Sequence, residues 1–264
     1  VYLDCNATTP LEPEVEEIMV QYMSTDFGNA GSRTHEYGLR AKQAVQKARE
    51  QIADVIDAEK DEVIFTSGAT ESNNLAILGL EDFGVKSKKK HIISTQIEHK
   101  AVLEPLQVLE EKGFEVTLIT PNSQGWVDSQ EVRNALRKDT LLVSVMHVNN
   151  ETGIIQPITE IAETLRACDT FFHVDAAQSF GKNIDTLLNK RIDLMSVSAH
   201  KVFGPKGVGA LITRKREYDR LPLKPLMFGG GQERKLRPGT LPVHLIVGFG
   251  LAAELAKKNF KTRR

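Results

Sequence analysis

Residues 91–120 read HIISTQIEHKAVLEPLQVLEEKGFEVTLIT, and this stretch decides the fold. It opens on a short apolar run, His91-Ile92-Ile93-Ser94, and closes on another, Val116-Thr117-Leu118-Ile119. Between them Leu103, Leu106 and Leu109 recur at helical spacing, so the stretch reads strand, amphipathic helix, strand. The alternation continues along the chain. Further apolar runs occupy residues 62–65, 141–145, 171–174, 194–197 and 208–212. Helical stripes comprise Val15, Ile18, Met19, Tyr22 and Met23; Ala41, Val45, Ala48, Ile52 and Val55; and Ile158, Ile161 and Leu165. Strands that are apolar throughout must be covered on both faces, which helices between parallel strands achieve. The expectation is an α/β fold with a mostly parallel sheet sandwiched by helices. Only a Gly/Pro/Lys loop separates the last two runs, so an antiparallel hairpin is the alternative there.

Composition narrows the function. The chain has 264 residues, 41% hydrophobic and 26% charged, enough for one large domain or two small ones with a real core. A formal net charge of −1 gives no basic field for direct nucleic-acid or membrane binding. No apolar run reaches the roughly 18 residues needed to span a bilayer. Cys5 and Cys168 make neither a disulfide framework nor a zinc-binding spacing. No metal site is expected, and the reducing cytoplasm is the expected location, with an organellar matrix as the alternative. The chain opens at Val1, so a trimmed start is expected.

In a doubly wound sheet ligands sit at the carboxyl ends of the strands, and five such ends carry polar chemistry. Thr66-Ser67-Gly68-Ala69-Thr70-Glu71 precedes a helical run. It reads either as a phosphate cradle or as an ordinary turn capped by Ser67 or Thr70. Neither it nor Gly204-Pro205-Lys206-Gly207 has the nucleotide P-loop spacing. Asp175 ends an apolar run and either holds a protonated ring nitrogen or caps a helix. His99 either caps a helix or lies flat against an aromatic ligand. Lys201, after Ser198 and His200, is either a solvated loop charge or a desolvated nucleophilic amine. Cys168 falls on the stripe of Ile161 and Leu165, and Cys5 in an N-terminal loop; both read as structural.

In order along nearly the whole chain, these segments resemble the cysteine desulfurases. They include Ala7-Thr8-Thr9-Pro10, Ser67-Gly68-Ala69-Thr70-Glu71-Ser72, Glu98-His99-Lys100, His147-Val148-Asn149-Asn150-Glu151, His173-Val174-Asp175-Ala176-Ala177-Gln178, His200-Lys201-Val202-Phe203-Gly204-Pro205-Lys206-Gly207 and Arg237-Pro238-Gly239-Thr240. That family belongs to the fold-type I, class V aminotransferase-like enzymes that use pyridoxal phosphate, and the match is to the iron–sulfur housekeeping type. The resemblance implies that Lys201 forms the internal aldimine and shuttles the substrate Cα proton. Asp175 pairs with the ring nitrogen, Gln178 bonds the ring hydroxyl oxygen, and His99 stacks on the ring and assists proton transfer. Ala69, Thr70, Ser198 and His200 hold the phosphate, with Thr240 reaching over from a second subunit of a homodimer. Asn150 lies near the ring hydroxyl and the substrate carboxylate. Residues 229–234 resemble the dimer-contact segment.

The implied reaction takes L-cysteine to L-alanine and leaves the sulfur on an enzyme cysteine as a persulfide. It feeds a protein acceptor in iron–sulfur assembly, tRNA thiolation or DNA phosphorothioation. In the family that cysteine sits in a C-terminal small domain, and neither Cys5 nor Cys168 matches its position. Residues 1–14 are therefore expected to line the site, 15–246 to form the cofactor-binding large domain, and 247–264 to be a helix leading to a small domain outside this chain. The chain alone is expected to be incompetent for turnover. Two alternatives stay open: a selenocysteine lyase or another class V aminotransferase, and a non-catalytic, cofactor-binding dimer partner or scaffold.

Overall fold

The computed structural model describes residues 1–216 and 220–260. The elements in chain order are α1 (Pro13–Ser24), α2 (Glu36–Val55), β1 (Val63–Thr66), α3 (Ala69–Leu78), α4 (Glu81–Ser87), β2 (His91–Thr95), α5 (Lys100–Glu111), β3 (Glu115–Ile119), α6 (Ser129–Ala135), β4 (Thr140–Met146), α7 (Ile158–Thr164), β5 (Phe171–Asp175), β6 (Leu194–Ser198), β7 (Gly209–Thr213) and α8 (Val243–Asn259). The seven strands form one sheet in the order β1-β7-β6-β5-β4-β2-β3. Strands β3, β2, β4, β5 and β6 are parallel; β7 runs antiparallel to both β6 and β1. The hairpin alternative for the last two apolar runs is therefore the arrangement adopted.

Each face of the sheet carries its own core. Val143, Phe172, Val174, Met195 and Ala210 meet α2, α6, α7 and α8 on one side. Ile64, Ile92, Leu142, Phe171 and Leu194 meet α3 and α5 on the other. Strand alternation and the two helical layers explain why every residue of β2, β4, β5 and β6 is buried. The stripe from Ala41 to Val55 is buried along α2 as its periodicity requires.

Two expectations need correction. Met23 is 58% exposed, because α1 presents only its Val15, Ile18 and Tyr22 side to the core. Cys168 lies beyond α7, which ends at Thr164; the chain turns at Leu165, so Cys168 is half-buried in a loop and off the helical stripe. Residues 261–264, the end of the expected closing helix, lie outside the described residues.

One close approach sets the geometry of the site. Gly68, at φ +155°, crosses over Gly209 of β7, where a Cβ would meet Val197 O at 2.5 Å and Gly68 Cα at 2.6 Å. Both obstacles are backbone, so no rotamer change relieves them. Gly209→Ala is expected to destabilise the protein by about 2 kcal/mol, read from urea unfolding.

Candidate active site

One sheet face changes character along its strands. Phe171, His173 and Asp175 follow one another on that face of β5; Leu142, Ser144 and Met146 do so on β4, and Leu194, Ser196 and Ser198 on β6. The amino ends are apolar and packed under α3 and α5, whereas β5 and β6 end in the polar Asp175 and Ser198 and β4 in Met146. His173 marks the transition. Ser144 Oγ, 2.8 Å from its Nδ1, and Ser196 Oγ, 2.9 Å from its Nε2, satisfy both ring nitrogens inside the sheet.

Above this edge lies a cavity of about 710 Å³. Asp175 stands at its base, 6% exposed. Its Oδ2 accepts from Asn73 Nδ2 at 2.7 Å and its Oδ1 from the Ala177 N–H at 2.9 Å. Burial pushes the Asp175 carboxyl up, against those two bonds and the neighbouring His99 and Lys201.

Lys201 follows β6 in a short 3-10 turn, Ala199–Lys201. Burial lowers its amine, while Asp175 and Asp4 oppose that effect. Its Nζ donates to the main-chain carbonyl of Asn6, which also accepts from Gln178 Nε2 at 2.9 Å. The segment before α1 is fastened to the lysine turn. Thr9 N and Thr9 Oγ1 both donate to the His200 carbonyl, at 2.9 and 3.0 Å, and Phe203 N donates back to Thr9 Oγ1 at 2.7 Å. His200 Nδ1 lies 3.1 Å from Thr8 Oγ1. Burial and the charges of Lys201, Lys206 and Lys182 hold the His200 ring below the usual histidine range.

The candidate anion cradle lies beside this turn. Gly68 is the N-cap of α3 and supplies no side-chain cap, so neither Ser67 nor Thr70 caps this helix. Glu71 instead reaches back to the Ser67 N–H at 2.7 Å and takes Arg237 Nε at 3.0 Å. Ala69 and Thr70 then open the helix toward the cavity, beside Ser198 and His200.

His99 caps a helix and also faces the cavity. Its Nδ1 accepts from the Ala101 N–H at 3.0 Å, capping α5, and its ring also lines the cavity. Asn150 lines the cavity as well, with its Nδ2 2.6 Å from Glu151 Oε1. Of the ten expected site residues the cavity gathers Ala69, Thr70, His99, Asn150, Asp175, Gln178, Ser198, His200 and Lys201. Thr240 is elsewhere in the chain. It lines a second cavity of about 440 Å³ with Arg49, Glu233 and Arg234.

Three participants escaped the sequence reading. Asn73 had a signal, lying four residues after Ala69 and so on the same side of α3. The Asn6 carbonyl had none, being main chain. Glu98 was seen only as the neighbour of His99, yet its Oε1 ties two strand ends together, accepting from Thr95 Oγ1 at 2.6 Å and Met146 N at 2.9 Å.

A family model for class-V aminotransferases matches residues 1–263. The chain belongs to the class-V aminotransferase family. It is 53% identical over 263 residues to a cysteine desulfurase IscS of Vibrio campbellii, covering 99% of this chain and 64% of that protein. The chain thus spans less than two thirds of that relative's length. Among solved structures, DndA from Streptomyces lividans superposes with a TM-score of 0.91 at 55% identity, covering 99% of this chain and 74% of the other. SspA in complex with cysteine superposes at 0.88 and 45% identity, covering 96% and 72%. Class-V aminotransferases are pyridoxal-phosphate enzymes. The cavity fits that group, with a buried carboxyl for a ring nitrogen, an amine at its side and a helix N-terminus for a phosphate.

Burial gives the site an unusual pH dependence. It pushes Glu98 up to about 8, and lowers His147 to about 4 and His173 to about 3. Folded Glu98 keeps a proton that the unfolded chain has lost above its ordinary 4.5, so its contribution declines as pH rises toward 8. The two histidines act in the opposite sense, but their contribution is complete above their ordinary 6.5. Between pH 6.5 and 8 the Glu98 decline is therefore exposed, at up to about 1.4 kcal/mol per pH unit. Glu98→Gln is expected to flatten it; equal slopes in urea unfolding of variant and wild type would show that Glu98 is already ionised.

Proposed function

We propose that the protein carrying this chain is a pyridoxal-phosphate-dependent cysteine desulfurase. It takes L-cysteine and an enzyme thiol to L-alanine and an enzyme persulfide, for delivery to a protein acceptor. The observation that carries this reading is the convergence of Lys201, Asp175, Gln178 and His99 with the Ala69–Thr70 helix start on a single cavity. Close similarity to proteins named cysteine desulfurase, and to a structure solved with cysteine, supports it.

Bound pyridoxal phosphate supplies a protonated ring that accepts the electron pair released when the substrate Cα–H bond breaks. The chain's residues supply the rest. Lys201 would anchor the cofactor through its amine and, when free, would be the base that takes the substrate Cα proton. Its lowered amine suits both roles, because a lysine that stays charged is neither nucleophile nor base. To react it gives up the Asn6 carbonyl. Asp175 holds the ring nitrogen, Gln178 the ring hydroxyl, and His99 covers one face and relays protons. Ser198, His200 and the first N–H groups of α3 hold the phosphate, while Asn150 meets the substrate carboxylate.

Neither Cys5 nor Cys168 lines the cavity. We place the sulfur-accepting cysteine in the portion of the relatives' length that this chain does not cover. On this reading residues 1–14 line the site, 15–246 form the cofactor-binding domain, and 247–264 lead on to a further domain.

A second copy of the chain completes the site. Phe228 is 90% and Phe27 67% exposed, and Phe27 stacks on Tyr37 at 5.5 Å between ring centroids. Large apolar surfaces of this kind are what an interface covers. The segment that carries Thr240 is held rigidly for such a contact. The buried pair Arg49–Glu233, at 2.6 Å, anchors it, and Glu233 also accepts the Phe65 N–H at 2.7 Å. Through these bonds three successive non-glycine residues, Glu233, Arg234 and Lys235, keep left-handed φ angles of 42°, 57° and 68°.

The purified protein reconstituted with pyridoxal phosphate is expected to be yellow and to be labelled at Lys201 by borohydride, and Lys201→Ala should abolish the label. With cysteine it should release one alanine per sulfur transferred to thiol, and His99→Ala should slow this by about 100-fold. Formation of the keto acid in place of alanine would make it an aminotransferase instead.

A further inference from the structure

Asn73 sits inside α3, a fully buried amide in a helix whose other buried positions include Leu75, Ala76 and Ile77. Local energetics give no reason for it. Asparagine is a poor helix former, and its amide is costly to bury without partners. One partner is present: Nδ2 donates to Asp175 Oδ2 at 2.7 Å. The other amide atom, Oδ1, is buried with no hydrogen-bond partner, and Asn73 lines the cavity. A leucine here would keep the branching, favour the helix and bury no amide of its own. The amide is therefore explained by what it does to Asp175.

That effect has a direction. An amide N–H bonds a carboxylate and opposes its protonation. If the amide were flipped, Oδ1 would face a carboxylate oxygen, a contact that only a protonated Asp175 tolerates. Asn73 and the Ala177 N–H occupy one oxygen each, at 2.7 and 2.9 Å, and so fix the plane of the group. The other groups acting on it are His99 at the start of α5, Lys201 after β6, and Glu98 after β2. His99 and Lys201 favour the anion, whereas an ionised Glu98 opposes it. Asn73 is the contact that reaches Asp175 from α3, the helix whose first turn forms the anion cradle.

We propose that Asn73 is a positioning residue that holds Asp175 as an oriented anion, ready to receive the cofactor's ring nitrogen. This rests on the proposed function, in which Asp175 meets that nitrogen. It goes further by making α3 serve both ends of the cofactor, with its first turn at the phosphate and its second turn, through Asp175, at the ring.

The test is a double-mutant cycle on pyridoxal-phosphate affinity, with Asn73→Leu and Asp175→Asn singly and together. Losing a hydrogen bond to a charged group is expected to weaken binding at least about tenfold in the wild-type background. In the Asp175→Asn background Asn73→Leu should have no further effect, because its route is already gone. The bound cofactor's visible absorption band should shift in the single variant. In the cofactor-free proteins, the Asp175 carboxyl stretch, identified by infrared difference against Asp175→Asn, should titrate at higher pH in Asn73→Leu than in wild type. Should Asn73→Leu fail to fold, Asn73→Ala is read in the same way. Unchanged affinity in the wild-type background, or equal losses in both backgrounds, overturns the proposal. If the wild-type protein takes up no pyridoxal phosphate, the proposed function fails first. The infrared titration then decides Asn73 alone, and an unmoved Asp175 titration overturns its role.

Discussion

A carboxyl group buried at the carboxyl end of a central strand is the constraint on which this structure turns. Asp175 sits in the middle of a seven-stranded sheet, 6% exposed, where burial is the largest effect opposing ionisation. Everything near it offsets that cost. Two N–H donors take its two oxygens, and His99 and Lys201 approach from the loops after β2 and β6. A ligand that brings a positive ring nitrogen adds to the same balance. The site is thus an electrostatic arrangement first and a shape second, and the polarity gradient along β5 and β6 lets a dry core and a charged edge share the same strands.

The same balance acts on the lysine from the other side. Lys201, Lys206 and His200 line the cavity with Lys182 nearby, and repulsion by the lysines adds to burial in lowering Lys182 and His200. For Lys201 burial is the dominant cause, checked by Asp175 and Asp4. An amine so placed is easier to neutralise than a surface lysine, while the acidic partners keep it from drifting out to water. Asp4 belongs to the segment before α1, so that segment contributes charge as well as covering the cavity.

Much of this was legible in the sequence, for a local reason. The residues just after a buried strand point to the sheet's ligand edge whatever the details of packing, so His99, Asp175, Ser198 and Lys201 could be picked from apolar runs alone. The capping of α3 was not legible. Ser67 and Thr70 look like caps, but the cap is Gly68, whose φ of +155° a residue with a side chain rarely adopts. Nor was the Asn6 carbonyl, since a main-chain oxygen leaves no pattern. Cys168 was misplaced by periodicity that ran on past the end of α7. Thr240 could be tied to the site only by resemblance, since its own chain puts it in a different cavity.

Glycine and asparagine in α3 answer to the same demand from opposite ends. Gly68 lets the chain pass close over β7, so that α3 starts at the cavity with its N–H groups uncapped. Five residues later Asn73 sacrifices helix propensity to reach Asp175. A helix optimised for its own stability would carry a serine or aspartate cap and a leucine in the second turn. Neither change would disturb the sheet, and each would remove a contact that faces the cavity. The departures from local preference in α3 therefore fall at the two positions where the helix meets the site, which is where stability and function make different demands on the same backbone.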